Sequence, residues 1–453
     1  MSAPTPSPRI DPTLRDLATG YLQTLLRIDT INLPGNERAA CDAIAAILDA
    51  EGIPYEIVDS APGRASIVAR LRADNAVGRP ILLMGHVDVV SVEADQWDRD
   101  PFGGELVDGY LWGRGALDMK SQVAGELAAL VVLKRSGGAL DRDVIFAAFA
   151  DEEAGGAFGA DYVWKHRPDL LDAEFGVNEG GGSVMRVEDA SFYLCQAGEK
   201  GSSRLRITTH AAPGHASVPL DDTAMFRMGE VLVKLASWSP SLKLTAPVRM
   251  MLEGIAAGGV SDATRMRIHN ILETPDPQWE QVDALPLGEQ DKLTLRATMH
   301  DTAVPTIIRG GQLINVIPSA VVLDVDGRLL PGSDPEAFHA EIAELLGELA
   351  TVELVSRHAG VAADPASPFF EAIKATMAEL QPGMDVIPYL VSGGTDAPLL
   401  PGVKIYGFFP FLPTERMTEY DPLVHGHNER IHVDDLAFGA QFVHDLVLRF
   451  CAA

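Results

Sequence analysis

Two stretches of this chain run apolar without a polar break, a third and shorter one reads as a strand beside them, and each ends on side chains that can ligate or titrate. Ile81–Met84 leads through Gly85 to His86 and Asp88. Val144–Ala150 leads to Asp151-Glu152-Glu153. The shorter Glu174–Val177 leads to Asn178-Glu179. Short unbroken apolar runs predict strands buried on both faces, as in the middle of a parallel sheet. Helical patterns stand between them. Asp11-Pro12 reads as an N-cap followed by Pro at the first helical position, with a stripe of Leu14, Leu17, Leu22, Leu25 and Leu26 behind it. A second helix is predicted over about 37–51, stopping before Gly52, and an Ala- and Leu-rich one over about 120–135. Tyr55–Val58 and Ser66–Arg70 read as strands, and 103–115 as a hairpin turned at Asp108-Gly109. Strands alternating with helices predict an α/β fold: a doubly wound, mixed but mostly parallel sheet.

The pattern changes near Gly198. From Arg204 to about Leu330 the runs alternate and turn residues multiply, with Pro240, Pro247, Pro275, Pro277 and Pro286 breaking the middle. Ser203–Thr209 and Ala320–Leu329 read as strands and Thr223–Ala236 as a helix. Helical and strand patterns return over Ala337–Leu349, Val352–Val355, Pro368–Leu380, Lys404–Phe408 and Asp434–Phe450. The expected organisation is a first domain in two parts, 1–198 and 332–453, split by an inserted α+β domain at 199–331.

Length and charge narrow the function. A chain of 453 residues predicts two domains. With 36 basic against 64 acidic residues the net charge is −28, a field that repels phosphate backbones and argues against nucleic acid as a partner. The same field suits divalent cations. Cys41, Cys195 and Cys451 are scattered, so neither a disulfide framework nor a thiolate zinc site is expected, and a cytoplasmic setting is. The Pro-rich opening, M-S-A-P-T-P-S-P-R-I, has no apolar core for a signal peptide, and no run approaches a membrane span.

The candidate chemistry sits at the strand ends, where sites gather in open α/β sheets. His86 and Asp88, two apart on an extended chain, point to one side, so His86 can bind a metal while Asp88 holds its other ring nitrogen. Asp118, Glu152, Glu153, Glu179 and a late pair, His425 and His427, complete the candidates. Oxygen and nitrogen donors without thiolate suit Zn²⁺, with Mn²⁺ or Co²⁺ as substitutes. Two metals need a bridging carboxylate, for which Asp118 is suited. Adjacent glutamates at one strand end cannot both point the same way, so one can ligate while the other acts as general base.

These residues fall into blocks: G-H-V-D-V-V at 85–90, G-R-G-A-L-D-M-K at 113–120, D-E-E at 151–153, N-E-G-G at 178–181 and H-G-H-N-E at 425–429. In that order, over nearly the whole chain, the series resembles the co-catalytic zinc peptidases and deacylases. That family includes acetylornithine deacetylase, succinyl-diaminopimelate desuccinylase, aminoacylase, carnosine-type dipeptidases and glutamate carboxypeptidase. The resemblance implies that His86 and Glu179 hold one zinc and Glu153 and His425 the other, with Asp118 bridging, Glu152 as general base and Asp88 orienting His86. It selects His425 over His427, which spacing alone leaves open. The resemblance also makes the split domain catalytic and the insert its lid, where G-H-A-S-V-P at 214–219 implies that His215 hydrogen-bonds the oxyanion. N-V-I-P at 315–318 and D-G-R-L-L-P-G at 326–332 imply that Asn315 and Arg328 grip a substrate carboxylate. G-G-T-D-A at 393–397, with Gly394 and Thr395, implies a substrate-side loop.

Two departures stand out. Ser121 follows Asp-Met-Lys where many members carry Gly, and the insert's segment from about Trp238 to His300 is long. The length argues against a narrow biosynthetic site and bears on whether a homodimer forms through the lid. The expected function is hydrolysis of an amide bond next to a free carboxylate, in a dipeptide or short peptide or in an N-acyl amino acid, with two Zn²⁺ per chain. The alternatives are a biosynthetic-type deacetylase or desuccinylase and, more remotely, a non-catalytic metal-binding protein. A serine hydrolase is opposed by the lack of any G-x-S-x-G.

Overall fold

The computed structural model describes residues 9–452, so most of the Pro-rich opening segment lies outside the described residues. The chain divides into two compact units. The first runs to Ala197 and takes in Ala363–Tyr389 and the chain from Thr395 onward; the second comprises Gly198–Ala362 and Leu390–Gly394.

The first unit is built on a sheet whose centre is parallel. Val144–Phe149, Ile81–His86, Phe175–Asn178 and Lys404–Gly407 lie side by side, each pair parallel. Every residue of the first three is buried. Alternate side chains enter different cores: Ile81, Leu83, Phe146 and Ala148 pack into one cluster, and Leu82, Met84, Ile145 and Phe149 into another. Both faces are therefore covered, which is why these strands read as unbroken apolar runs. The helix Lys120–Ser136 is buried on nearly every side, against Pro12–Leu26 and Val433–Cys451, as expected of a helix without a polar face.

The sheet's margins are antiparallel. Tyr55–Ala61 pairs with Arg64–Leu71, which pairs with Val144–Phe149, and Ala190–Glu199 pairs antiparallel with Lys404–Gly407 and Val184–Val187. The mixed sheet of an α/β fold, expected from the sequence, is thus present, with a parallel centre and antiparallel flanks. Among the described residues no helix is long and apolar enough to cross a membrane.

The second unit is α+β. Its four-stranded antiparallel sheet has the order Thr302–Gly310, Ala320–Leu329, Gly201–His210, Thr351–His358. Along Ala320–Leu329 buried and half-buried residues alternate strictly. One face is thus buried, by Met228, Val231 and Leu235 of the helix Ala224–Ser237 and by Phe338, Ile342 and Leu346 of the helix Pro335–Leu346.

One expectation is corrected here. The inserted unit runs to Ala362 rather than 331, because Thr351–His358 pairs with Gly201–His210 and the helix before it packs on the same sheet. The Pro-rich middle is helical: Ala246–Ala257, Asp262–Glu273, Trp279–Asp283 and Glu289–Ala297. Pro247 sits in the first turn of its helix, where the missing N–H costs nothing, and the other four prolines lie in the connections.

Candidate metal centre

Three adjacent parallel strands deliver most of the site. His86 closes its strand, Glu152 and Glu153 follow Phe149 by three and four residues, and Glu179 follows Asn178. Asp118 precedes the helix Lys120–Ser136, and His425 comes from a loop near the C-terminal helix.

Asp118 is the centre of the arrangement. Its Oδ1 lies 3.0 Å from His86 Nε2 and its Oδ2 3.1 Å from His425 Nε2. Glu179 Oε1 stands 3.8 Å from His86 Nε2, on one side, and Glu153 Oε1 3.2 Å from His425 Nε2, on the other. Glu152 Oε2 is 3.8 Å from His86 Nε2. Donor atoms of His86, Glu152 and Glu179, and of His86, Asp118 and Glu153, come within 4.8 Å of one another. His427 points elsewhere, with its Nε2 3.7 Å from exposed Glu93.

The tautomer of His86 follows from its surroundings. Its Nδ1 lies 3.0 Å from the backbone carbonyl oxygen of Asp88. A carbonyl only accepts, so Nδ1 carries a proton and Nε2 is the ring nitrogen turned toward Asp118 and Glu179, the one available to a metal once it has no proton. Asp88 thus holds His86 through its backbone; its carboxylate stands back at 3.6 Å from Nδ1. That carboxylate instead accepts from the backbone N–H groups of Glu152 and Glu153, both at 3.1 Å, and from Asn32 Nδ2 at 2.9 Å. Asp88 therefore fixes the turn that presents the two glutamates.

Further residues, passed over by sequence reasoning, support the same turn. Asp151, at φ +70°, is held by Asn32 Nδ2 (3.0 Å), the Phe158 N–H (2.9 Å) and Arg64 Nη2 (2.8 Å). Arg64 also forks onto Glu37, at 2.6 and 3.1 Å, and all three charged groups are buried. Glu429, the last residue of H-G-H-N-E, clamps the segment before Asp118. It accepts from the N–H groups of Gly115, Leu117 and Asp118 and from Arg114 Nη1. Its place in that block was a signal; Arg64 had none.

The electrostatics fit a pair of cations. Burial first, then the Asp118 charge, pushes the Glu153 carboxyl up to about 7. Burial first, then neighbouring carboxylates, raises Glu152, and burial raises Glu179 as well. Burial opposes charge on His86, but the carboxylates of Glu179 and Asp118 outweigh it and hold the imidazole well above its usual value. The Asp118 hydrogen bond raises His425 to about 9. The protein alone therefore retains protons on this cluster, because its carboxylates lack enough positive charge. Two divalent ions would supply that charge, and the donors, two imidazoles and carboxylates without thiolate, suit Zn²⁺, Co²⁺ or Mn²⁺.

A sign follows. Glu153 is protonated below about 7 and His425 below about 9, so both must shed protons to ligate. Apparent zinc affinity should rise from pH 6 to pH 9, with net proton release at pH 6. Calorimetry in buffers of different ionisation enthalpy measures it; a zero proton count at pH 6 would contradict this electrostatic picture.

The remaining candidates lie in the second unit or at its boundary. His215 is exposed, and its Nδ1 accepts the Ser217 N–H at 3.2 Å, which leaves the proton on Nε2, free to donate. Arg328 is half-buried beside Asp326, at 3.2 Å, and Asn315 is exposed. Gly394 closes the second unit's last segment, and Thr395, whose Oγ1 accepts the Ala397 N–H at 3.1 Å, opens the return to the first.

Over residues 82–449 the chain matches the family described as Peptidase family M20/M25/M40. It is 26% identical over 415 residues to aminoacylase-1B of Rattus norvegicus, which covers 90% of this chain and 88% of the relative. The fold is that of the M20 family metallo-carboxypeptidase Sso-CP2 from Sulfolobus solfataricus, with a TM-score of 0.68 at 18% identity over 97% of this chain and 99% of that one. It is also that of the YXEP protein of Bacillus subtilis, a dinuclear metal binding peptidase, with a TM-score of 0.62 at 14% identity over 97% and 98%.

Proposed function

The chain belongs to peptidase family M20/M25/M40, and from that premise we propose that it is a hydrolase dependent on two zinc ions that cleaves an amide bond next to a free carboxylate. The substrate is a short peptide or an N-acyl amino acid. The observation that carries this reading is Asp118, whose two carboxylate oxygens each face a different imidazole, the disposition a bridging ligand needs.

His86 and Glu179 would hold one ion, and Glu153 and His425 the other. When bound, the pair polarises the amide carbonyl and acidifies the attacking water. The chain's own residues do the rest. Glu152 takes a proton from that water on Oε2 and delivers it to the leaving amine nitrogen. Asp88 keeps Glu152 in place through the backbone of the turn. His215 donates from Nε2 to the developing oxyanion, Arg328 and Asn315 hold the substrate carboxylate, and the loop of Gly394 and Thr395 meets the substrate. The likeness to aminoacylase-1B and to a metallo-carboxypeptidase supports both an acyl and a peptide substrate.

The test combines metal titration with an assay on N-acetyl amino acids, dipeptides and N-succinyl amino acids. Metal should saturate at two ions per chain, and chelators should abolish turnover. One ion at saturation, or full activity after exhaustive chelation, refutes the dinuclear reading. In the same panel, Arg328→Lys keeps the charge and loses the fork that matches a carboxylate. Its kcat/KM should fall by about ten- to a hundred-and-fiftyfold, the worth of a charge-assisted contact, on free carboxylates and little on the carboxamides. Equal losses on both would assign Arg328 to supporting the strand.

A further inference from the structure

A cavity of about 290 Å³ adjoins Asp118 and Glu179 within the first unit. Its apolar wall is made largely by Met119, Tyr389, Phe409, Phe411, Tyr420 and Val424. At the low end of ligand-pocket volumes, it holds one substituent rather than a whole substrate. No Lys, Arg or His lines it. Of its three carboxylates, Asp118 and Glu179 belong to the metal centre. The third, Asp421, is exposed and forms no ion pair among the described residues. The cavity therefore suits apolar groups and offers an anionic one no cationic side chain to pair with.

Its depth is fixed from behind. Phe409 is 4% exposed, and its ring is wedged between two glycines on two helices. A Cβ on Gly125 of Lys120–Ser136 would lie 2.8 Å from the ring's Cζ, and one on Gly439 of Val433–Cys451 only 2.3 Å away. The ring meets Phe411 edge-on at 6.4 Å between centroids, and Phe411 in turn meets Tyr420 at 5.3 Å. An aromatic wall backed by two helices cannot retreat to admit a larger group.

We propose that this cavity receives the group on the carbonyl side of the scissile amide. It selects an uncharged, apolar group of up to about phenyl size, rejects an anionic one, and has its depth set by Gly125 and Gly439 acting through Phe409. This rests on the amide-hydrolase reading above, in which Arg328 and Asn315 take the carboxylate on the amine side. Gly125 and Gly439 are positioning residues: they face the ring of Phe409, a lining residue, and do not themselves line the cavity.

The test uses the zinc-loaded full chain and one amino acid carrying acetyl, pentanoyl, phenylacetyl or succinyl groups. For wild type, kcat/KM should rise from acetyl to phenylacetyl, by about fourfold for each methylene buried, and succinyl should fall at least about tenfold below pentanoyl. Phe409→Leu deepens the cavity, so the phenylacetyl-to-acetyl ratio of kcat/KM should rise. Gly439→Ala pushes the ring inward, so that ratio should fall. Far-ultraviolet circular dichroism confirms that each variant folds, and if Gly439→Ala does not, Phe409→Leu decides alone. Opposite shifts of the ratio support the proposal, since a merely structural defect lowers all substrates together. Succinyl equal to pentanoyl, or a ratio unmoved by Phe409→Leu, overturns it while leaving the hydrolase reading intact. A two-zinc protein that cleaves none of the amides overturns both.

Discussion

Glu152→Gln should lower turnover at least about a hundredfold, the low end for a lost general base, while two metal ions per chain stay bound. The amide keeps the shape of the side chain but cannot take a proton from water. Its backbone N–H still reaches Asp88 Oδ1, so the turn is undisturbed. Glu153→Ala should behave differently. It removes the carboxylate that stands 3.2 Å from His425 Nε2, so one ion binds more weakly and activity returns at high metal concentration. Metal content measured beside single-turnover rates separates the two. If Glu152→Gln lost metal and kept its turnover once metal was restored, the roles of the two glutamates would be reversed.

Arg64→Met should destabilise the first unit by about 3–5 kcal/mol, the cost of removing one partner from a buried ion pair. Methionine keeps much of the volume, so the loss is chiefly electrostatic. It leaves Glu37 and Asp151 facing each other, with side chains 0% and 3% exposed, where an uncompensated carboxylate is costly. Asp151 is also held in the left-handed region at φ +70°, a conformation that persists only while its surroundings enforce it. Turnover should therefore fall with stability, since the same turn presents Glu152. Replacing Glu37 by Gln in the Arg64→Met background should recover part of the stability. Denaturant unfolding of wild type and the two variants measures this, and a change under about 1 kcal/mol for Arg64→Met would show that the pair is not coupled to the fold.

Much of the site's layout was legible in the sequence because strand burial is a local pattern. Ile81–Met84 and Val144–Ala150 are apolar at every position since both faces of those strands meet a core, and a polar residue can appear only where the strand leaves the sheet. His86, Glu152 and Glu179 had to sit at strand ends for that reason. The helix started by Asp11 was legible for a similar one, as its cap is a contact between Asp11 Oδ1 and the Thr13 N–H two residues away.

Contacts between distant parts of the chain left no such record. Arg64 meets Asp151 across 87 positions, and Glu429 meets the Asp118 N–H across 311; neither residue type nor spacing names its partner. Asp88 shows the same limit at close range. Sequence placed its carboxylate on His86, but the turn at Glu152-Glu153 brings two backbone donors nearer, and the carboxylate answers those. The end of the inserted unit was misplaced because an alternating strand such as Thr351–His358 pairs equally well with any open edge, and only packing decides which. The cavity behind Asp118 is likewise invisible in the chain. Gly125 and Gly439 acquire meaning only once two helices press on the same ring, and that depends on the tertiary structure, not on either helix by itself.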